Sequence, residues 1–114
     1  MPPAPSEAEP ASPPPQRGRI SLYGNAFAGK RTASGDVFDP EHLTMAHRTL
    51  PFGTRVRVTN LENQRSVEVI VNDRGPFVRG RIADLSAAAA RQIGMIVDGV
   101  VEALLEVLQP SKAR

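Results

Sequence analysis

Three carboxylates and one histidine carry the chemistry this chain could do. Asp36, Asp39 and His47 lie within twelve residues of one another, and Asp73 stands apart in Val71-Asn72-Asp73-Arg74-Gly75-Pro76-Phe77. Carboxyl groups brought close together perturb one another, so that one can hold a proton while another stays ionised. That is the working pair of general acid/base catalysis. Each residue also has a purely structural reading. Gly75-Pro76 breaks the chain, which puts Asp73 and Arg74 at the lip of a strand, where an aspartate often binds backbone N–H groups. Asp39 precedes Pro40-Glu41-His42-Leu43, a candidate helical turn with Asp39 as its N-cap and Pro40 at the first helical position. His47 follows an apolar run and fits a satisfied structural histidine as well as a catalytic partner.

The elements that must position these groups are mostly short strands. Arg19 to Gly24 alternates and predicts a first strand. Asn25 to Pro40 is rich in small and polar residues and predicts a long loop, a length that small domains usually keep for function. Leu43 to Leu50 reads as a short strand and turn. Thr54 to Asn60 places Val56 and Val58 on one face and Arg55, Arg57 and Thr59 on the other. Val67, Val69 and Val71 repeat the pattern after the turn Glu62-Asn63-Gln64, so Thr54 to Val71 predicts a β-hairpin, with Glu68 facing the arginines across it. Val78 to Leu85 reads as loop and short strand. Ser86 caps a short helix from Ala87 to about Ile93, which Gly94 stops. Val100 to Leu108 satisfies helix and strand patterns about equally, and its valines and the Asp98-Gly99 turn favour a strand. About six strands with one or two short helices predict a small closed barrel, mainly β.

Composition narrows the partners. The chain has 114 residues, enough for one domain with one core. It has no cysteine and two histidines, so thiolate chemistry and disulfides are excluded, no metal site is expected, and no cofactor motif is present. A net charge of +2 with no dense basic run argues against a nucleic-acid partner. No apolar stretch is long enough to span a bilayer, and no signal-peptide pattern occurs in the chain. Residues 1–16, with seven prolines, predict a disordered or polyproline-like linker. The folded domain is expected over 17–109 and a short tail over 110–114.

Laid out in order, Ser21-Leu22-Tyr23-Gly24, Gly29 to Asp36, Leu43 to Pro51, Val71 to Phe77 and Arg81 to Ser86 resemble the rare lipoprotein A (RlpA) family. The resemblance implies a six-stranded double-psi β-barrel. It also implies a bacterial, extracytoplasmic lytic transglycosylase. Such an enzyme cleaves the β-1,4 bond between N-acetylmuramic acid and N-acetylglucosamine in peptide-denuded glycan strands, leaving 1,6-anhydro ends. A non-catalytic, expansin-like wall-binding module is the alternative on the same barrel. By position, the family's catalytic residues fall on Asp36, Asp39, His47 and Asp73, with Asp39 as the acid/base. Asp36 departs from the glutamate of many members, and Leu22 from a residue that is often aromatic. Tyr23, Arg48, Arg74, Arg79 and Arg81 are expected to contact substrate, with Arg74, Arg79 and Arg81 meeting the lactyl carboxylate of muramic acid. The implied partner is peptidoglycan, the implied site the periplasm with possible outer-membrane anchoring of the parent protein, and a monomer is expected.

Overall fold

The computed structural model describes residues 14–23 and 28–109. Most of the expected linker, Gly24 at the end of the expected first strand, Phe27 of the long loop, and the 110–114 tail lie outside the described residues. Among the described residues six strands and one helix follow in order: β1 (Gln16–Leu22), β2 (Thr44–Ala46), β3 (Arg55–Asn60), β4 (Arg65–Asp73), β5 (Arg81–Leu85), α1 (Ala87–Gln92) and β6 (Val101–Gln109). They close into a barrel in the order β1-β5-β2-β4-β3-β6. Two parallel pairs, β1 with β5 and β2 with β4, cross between antiparallel neighbours, which is the double-psi arrangement.

The hairpin forms where the alternation predicts it. Val56 pairs with Val69 and Val58 with Val67 across β3 and β4, and all four are buried. Their outward neighbours are solvated, and Arg55 meets Glu68 at 3.5 Å across the hairpin. Ile20, Met45, Val71, Ala83, Leu85, Val101, Ala103 and Leu105 complete the interior. Each buried Val, Leu, Ile or Met side chain among them contributes about 1.5–3 kcal/mol by leaving water. The ambiguous Val100–Leu108 stretch resolves as β6 because both its neighbours, β1 and β3, offer open edges that only a strand can close. The first strand begins at Gln16 rather than Arg19, one residue inside the segment read as linker, because its early residues pair with β6 from Gln16↔Leu105 onward. Pro40-Glu41-His42 forms an isolated turn rather than a helix, closed by the His42 N–H donating to the Asp39 carbonyl at 3.0 Å.

Two local devices hold the end of the barrel where β1, β2, β4 and the loops meet. Ser86, fully buried, caps α1 and does more. Its hydroxyl donates to the His42 carbonyl at 2.5 Å and accepts from the N–H groups of Thr44 at 3.3 Å and Ala89 at 3.4 Å. The second device is the turn after β2. The His47 Nδ1 accepts the N–H groups of Thr49 and Leu50, each at 3.1 Å. An Nδ1 that accepts leaves the proton on Nε2, which donates to the Gln16 side-chain oxygen at 2.7 Å. From the other side, the Arg74 guanidinium donates to the carbonyls of His47 (3.1 Å) and Leu50 (2.8 Å) and lies 4.0 Å over the Phe52 ring.

Both devices have measurable consequences. Ser86→Ala takes a hydrogen-bond partner from the His42 carbonyl and from two amides, so it should lower unfolding free energy by about 1–3 kcal/mol in urea titrations. The His47 imidazole is held below its ordinary pKa, chiefly by burial and further by the Arg48 and Arg74 charges. With the folded pKa below the unfolded one, the unfolded chain takes up the proton first as pH falls below about 6.5. Stability should therefore be fully present above that pH and decline below it, by at most about 1.4 kcal/mol per pH unit for one proton. Urea titrations between pH 7.5 and 5 should show the decline in the native chain and lose it in His47→Asn, whose amide oxygen can still accept the turn N–H groups.

Candidate functional site

Everything at this end converges on Asp73. Period-two alternation would send its side chain into the barrel after Val67, Val69 and Val71. The pairing of β4 with β2 slips first, from Met45↔Val71 to Ala46↔Asp73, which leaves Asn72 as an extra residue in a bulge. Bulges of this kind re-aim the side chain that follows them. The Asp73 carboxylate here reaches three donors: the Tyr23 hydroxyl at 2.5 Å, the Ala33 N–H at 2.8 Å and its own neighbour Arg74 N–H at 2.9 Å. All three suit the ionised, acceptor-only form. The Asp73 carbonyl accepts the His47 N–H at 3.1 Å. One residue thus joins β1, the loop before β2, β2 and β4.

The described part of that loop, from residue 28 on, is hydrogen-bonded to itself rather than irregular. Arg31 and Val37 form a bridge, Phe38 exchanges backbone bonds with Gly29 and Lys30, and the Thr32 N–H donates to the Asp36 carbonyl at 2.7 Å. The result is a finger whose tip docks on β4 through Ala33 to Asp73 and through the Ser34 N–H to the Asn72 carbonyl at 3.2 Å. At its base Phe38 is buried, with its ring edge-on to Tyr23 at 4.7 Å between centroids. Asp39 follows directly, exposed, its carboxylate accepting the Glu41 N–H at 2.9 Å and lying 3.5 Å from the His42 Nε2. Asp36 is exposed near the fingertip.

The structure therefore brings Tyr23, Asp73 and the finger carrying Asp36 and Asp39 together, and several of the expected site residues already have partners within the fold. His47 is 3 % exposed and both its ring nitrogens are taken, one by turn amides and one by Gln16. Arg74 is not a free substrate cation; two carbonyls and the Phe52 face occupy its guanidinium. Tyr23 is a clamp rather than an open sugar platform. Burial, then the bond to Asp73 and the charges of Asp73 and Asp84, keep its hydroxyl protonated far above the ordinary tyrosine range. Among the other arginines, Arg48 donates to the Arg81 carbonyl, Arg79 is exposed, and the Arg81 Nε is buried without a partner among the described residues. Among the described residues no cluster of three or more histidines and acids suits a metal ion.

Sequence reasoning missed Asp84. It pairs with Ser21 on one side and Ala46 on the other, so β1, β5, β2 and β4 set Ser21, Asp84, Ala46 and Asp73 in one row across the sheet. Its carboxylate accepts the Ser21 hydroxyl at 2.6 Å, and its charge is felt at Tyr23. Two carboxylates, Asp73 and Asp84, thus flank one tyrosine. The available signal was Asp84 recurring in the same motif run as Ser86, but nothing local tied it to Ser21, 63 positions away.

Comparisons with known proteins bear on the family and the fold. The family model described as lytic transglycolase matches residues 15–104. A probable endolytic peptidoglycan transglycosylase RlpA of a Nostoc strain is 60% identical over 94 residues, 81% of this chain and 25% of that protein. The endolytic peptidoglycan transglycosylase RlpA of Pasteurella multocida is 53% identical over 92 residues, 81% of this chain and 31% of that protein. The chain thus spans about a quarter to a third of these curated relatives. Among solved structures, the Streptomyces papain inhibitor superposes with a TM-score of 0.66 at 25% identity, covering 82% of this chain and 93% of that one. An expansin of Clavibacter michiganensis superposes at 0.67 and 18% identity, over 87% of this chain and 52% of that one, which speaks to the fold alone. The barrel order, the ordered motifs and the matched family model together establish that the chain belongs to the RlpA family of double-psi β-barrel proteins.

Proposed function

We propose that the chain is a lytic transglycosylase domain that cleaves the β-1,4 bond between N-acetylmuramic acid and N-acetylglucosamine of peptidoglycan. The observation that carries this reading is the fixed Asp73 carboxylate, clamped by Tyr23 at the barrel's end beneath the finger that presents Asp36 and Asp39. Barrels of this shape serve unrelated proteins, so activity has to be argued from those groups and not from the fold.

Lytic cleavage needs a carboxyl that protonates the departing oxygen and stabilisation for the positive character that builds at the muramyl C1. No water enters. The same carboxylate then takes the proton of the muramyl 6-hydroxyl as its oxygen bonds to C1, which closes the 1,6-anhydro ring and returns the carboxyl to its starting state. Asp39 is the acid/base in this scheme. It is exposed to a bulky polymer, and Phe38 packed on Tyr23 ties its backbone to Asp73. Asp73, which its three donors keep as an acceptor, supplies fixed negative charge facing the sugar. Asp36 supports from the fingertip, and His47 acts by holding the floor of the site through its turn. In this scheme Arg48, Arg79 and Arg81 contact the substrate, whose lactyl carboxylate is free where stem peptides have been removed. This substrate lies outside the cytoplasm, which places the chain's work there. Among the described residues no helix is long and apolar enough to cross a membrane.

Denuded sacculi digested with the purified chain should release 1,6-anhydromuramoyl products, read by mass spectrometry. Asp39→Asn should cut that release by roughly 100-fold or more while leaving the melting temperature unchanged. Asp73→Asn should lower both, with a stability loss of about 2 kcal/mol from weakened charge-assisted bonds. A larger loss of product from Asp84→Asn than from Asp39→Asn would move the acid role to the strand-end pair. Pelleting with sacculi and no anhydro product from the native chain would replace the reaction with an expansin-like binding role.

A further inference from the structure

One aromatic ring at this end takes no part in the site described so far. Of the described aromatics, Phe38 is buried, Phe52 lies half-buried under Arg74, and Tyr23 is half-buried against Asp73. Phe77 is 79% exposed. A single exposed hydrophobe is ordinary and by itself needs no explanation. Three observations set this one apart.

The first is its mount. Phe77 follows Gly75 and Pro76, both buried, and its ring lies back over Gly75, with Cε2 and Cδ2 at 3.6 and 3.7 Å from where a Cβ would stand. Gly75 holds φ at +116°, a conformation that glycine adopts freely and other residues rarely do. The second is rigidity from below. Arg74, two residues earlier, is pinned to two carbonyls and to Phe52, and Asp73 is held by three donors. A ring carried on so fixed a turn loses little freedom when a ligand settles on it. The third is position. Phe77 lies four residues past Asp73, within about 15 Å along the chain, which is within reach of a polymer bound at Asp73. Val78 beside it is 53% exposed, and exposed Arg79 follows. An apolar face with a cation at its edge matches a pyranose ring, which is apolar across its C–H face and polar around its rim.

We propose that Phe77 is a stacking platform for a sugar ring of the glycan strand, forming a binding subsite beside the Asp73 carboxylate. The inference rests on the reading of this barrel end as a glycan site, and it adds a residue that positions the strand without touching the reacting bond. Val78 widens the platform and Arg79 borders it.

The test is Phe77→Ala and Phe77→Tyr, each checked for an unchanged melting temperature, which the exposed ring predicts. The readouts are KM and kcat on soluble denuded glycan oligomers and the Kd for pelleting with sacculi. Phe77→Ala should raise KM and the pelleting Kd roughly three- to tenfold, the scale of one lost aromatic contact. Its kcat should stay within about twofold of the native value, since only binding common to ground and transition states is removed. Phe77→Tyr, which keeps the ring, should bind like the native chain. An unchanged KM and Kd in Phe77→Ala overturns the proposal, as does a Phe77→Tyr variant as weak as the alanine. Failure of the native chain to release anhydro product would sink the proposed reaction, while pelleting would still decide the role of Phe77.

Discussion

The structure depends on one carboxylate accepting three hydrogen bonds. Asp73 stands where the barrel's second parallel pair ends, and its donors come from β1's continuation, from the finger before β2 and from its own turn. Hydrogen bonds to a charged acceptor contribute about 1.5–3 kcal/mol each, roughly twice a neutral bond. Segments 40 and 50 residues away in sequence are therefore held by the same two oxygen atoms. Without that junction, the finger that presents Asp36 and Asp39 would keep its own backbone bonds but lose its main polar attachment to the barrel.

Around the clamp, polar groups that look catalytic in sequence are spent on geometry. His47 and Arg74 seize the same turn from opposite sides, the one through its ring nitrogen and the other through its guanidinium. Ser86 ties the helix to the chain between Asp39 and β2. A small barrel has little core to fix its loops, so it fixes them with buried polar bonds. That rigidity is what a site needs if its carboxylates are to stay in place against a long, stiff polymer.

The parts of this arrangement that are encoded locally were legible in the sequence. The valine alternation gave the β3–β4 hairpin, Ser86 and the alanines gave α1, and Gly75-Pro76 marked the end of β4. The ordered motifs pointed to the double-psi barrel before any contact was known. What stayed hidden depends on the parallel crossings of β1 with β5 and β2 with β4. These set Asp84 beside Ser21 and Tyr23 beside Asp73, across separations that no periodicity records. The bulge at Asn72 was equally invisible, because a one-residue slip in pairing leaves no mark in an apolar pattern. The same blindness explains why His47 and Arg74 read as free functional groups. Their partners are backbone atoms, which every sequence contains.

The Asp73 carboxylate fixes the finger to the barrel. Amide hydrogen exchange resolved by residue tests it most directly, comparing the native chain with Asp73→Leu, which is near in size but cannot accept a hydrogen bond. The Ala33 and Arg74 amides should lose protection in the variant, together with Ser34 at the docked tip, while Val56, Val58 and Val69 in the hairpin keep theirs. Unchanged protection at Ala33 and Ser34 would contradict it, because the finger would then be held by something other than this carboxylate.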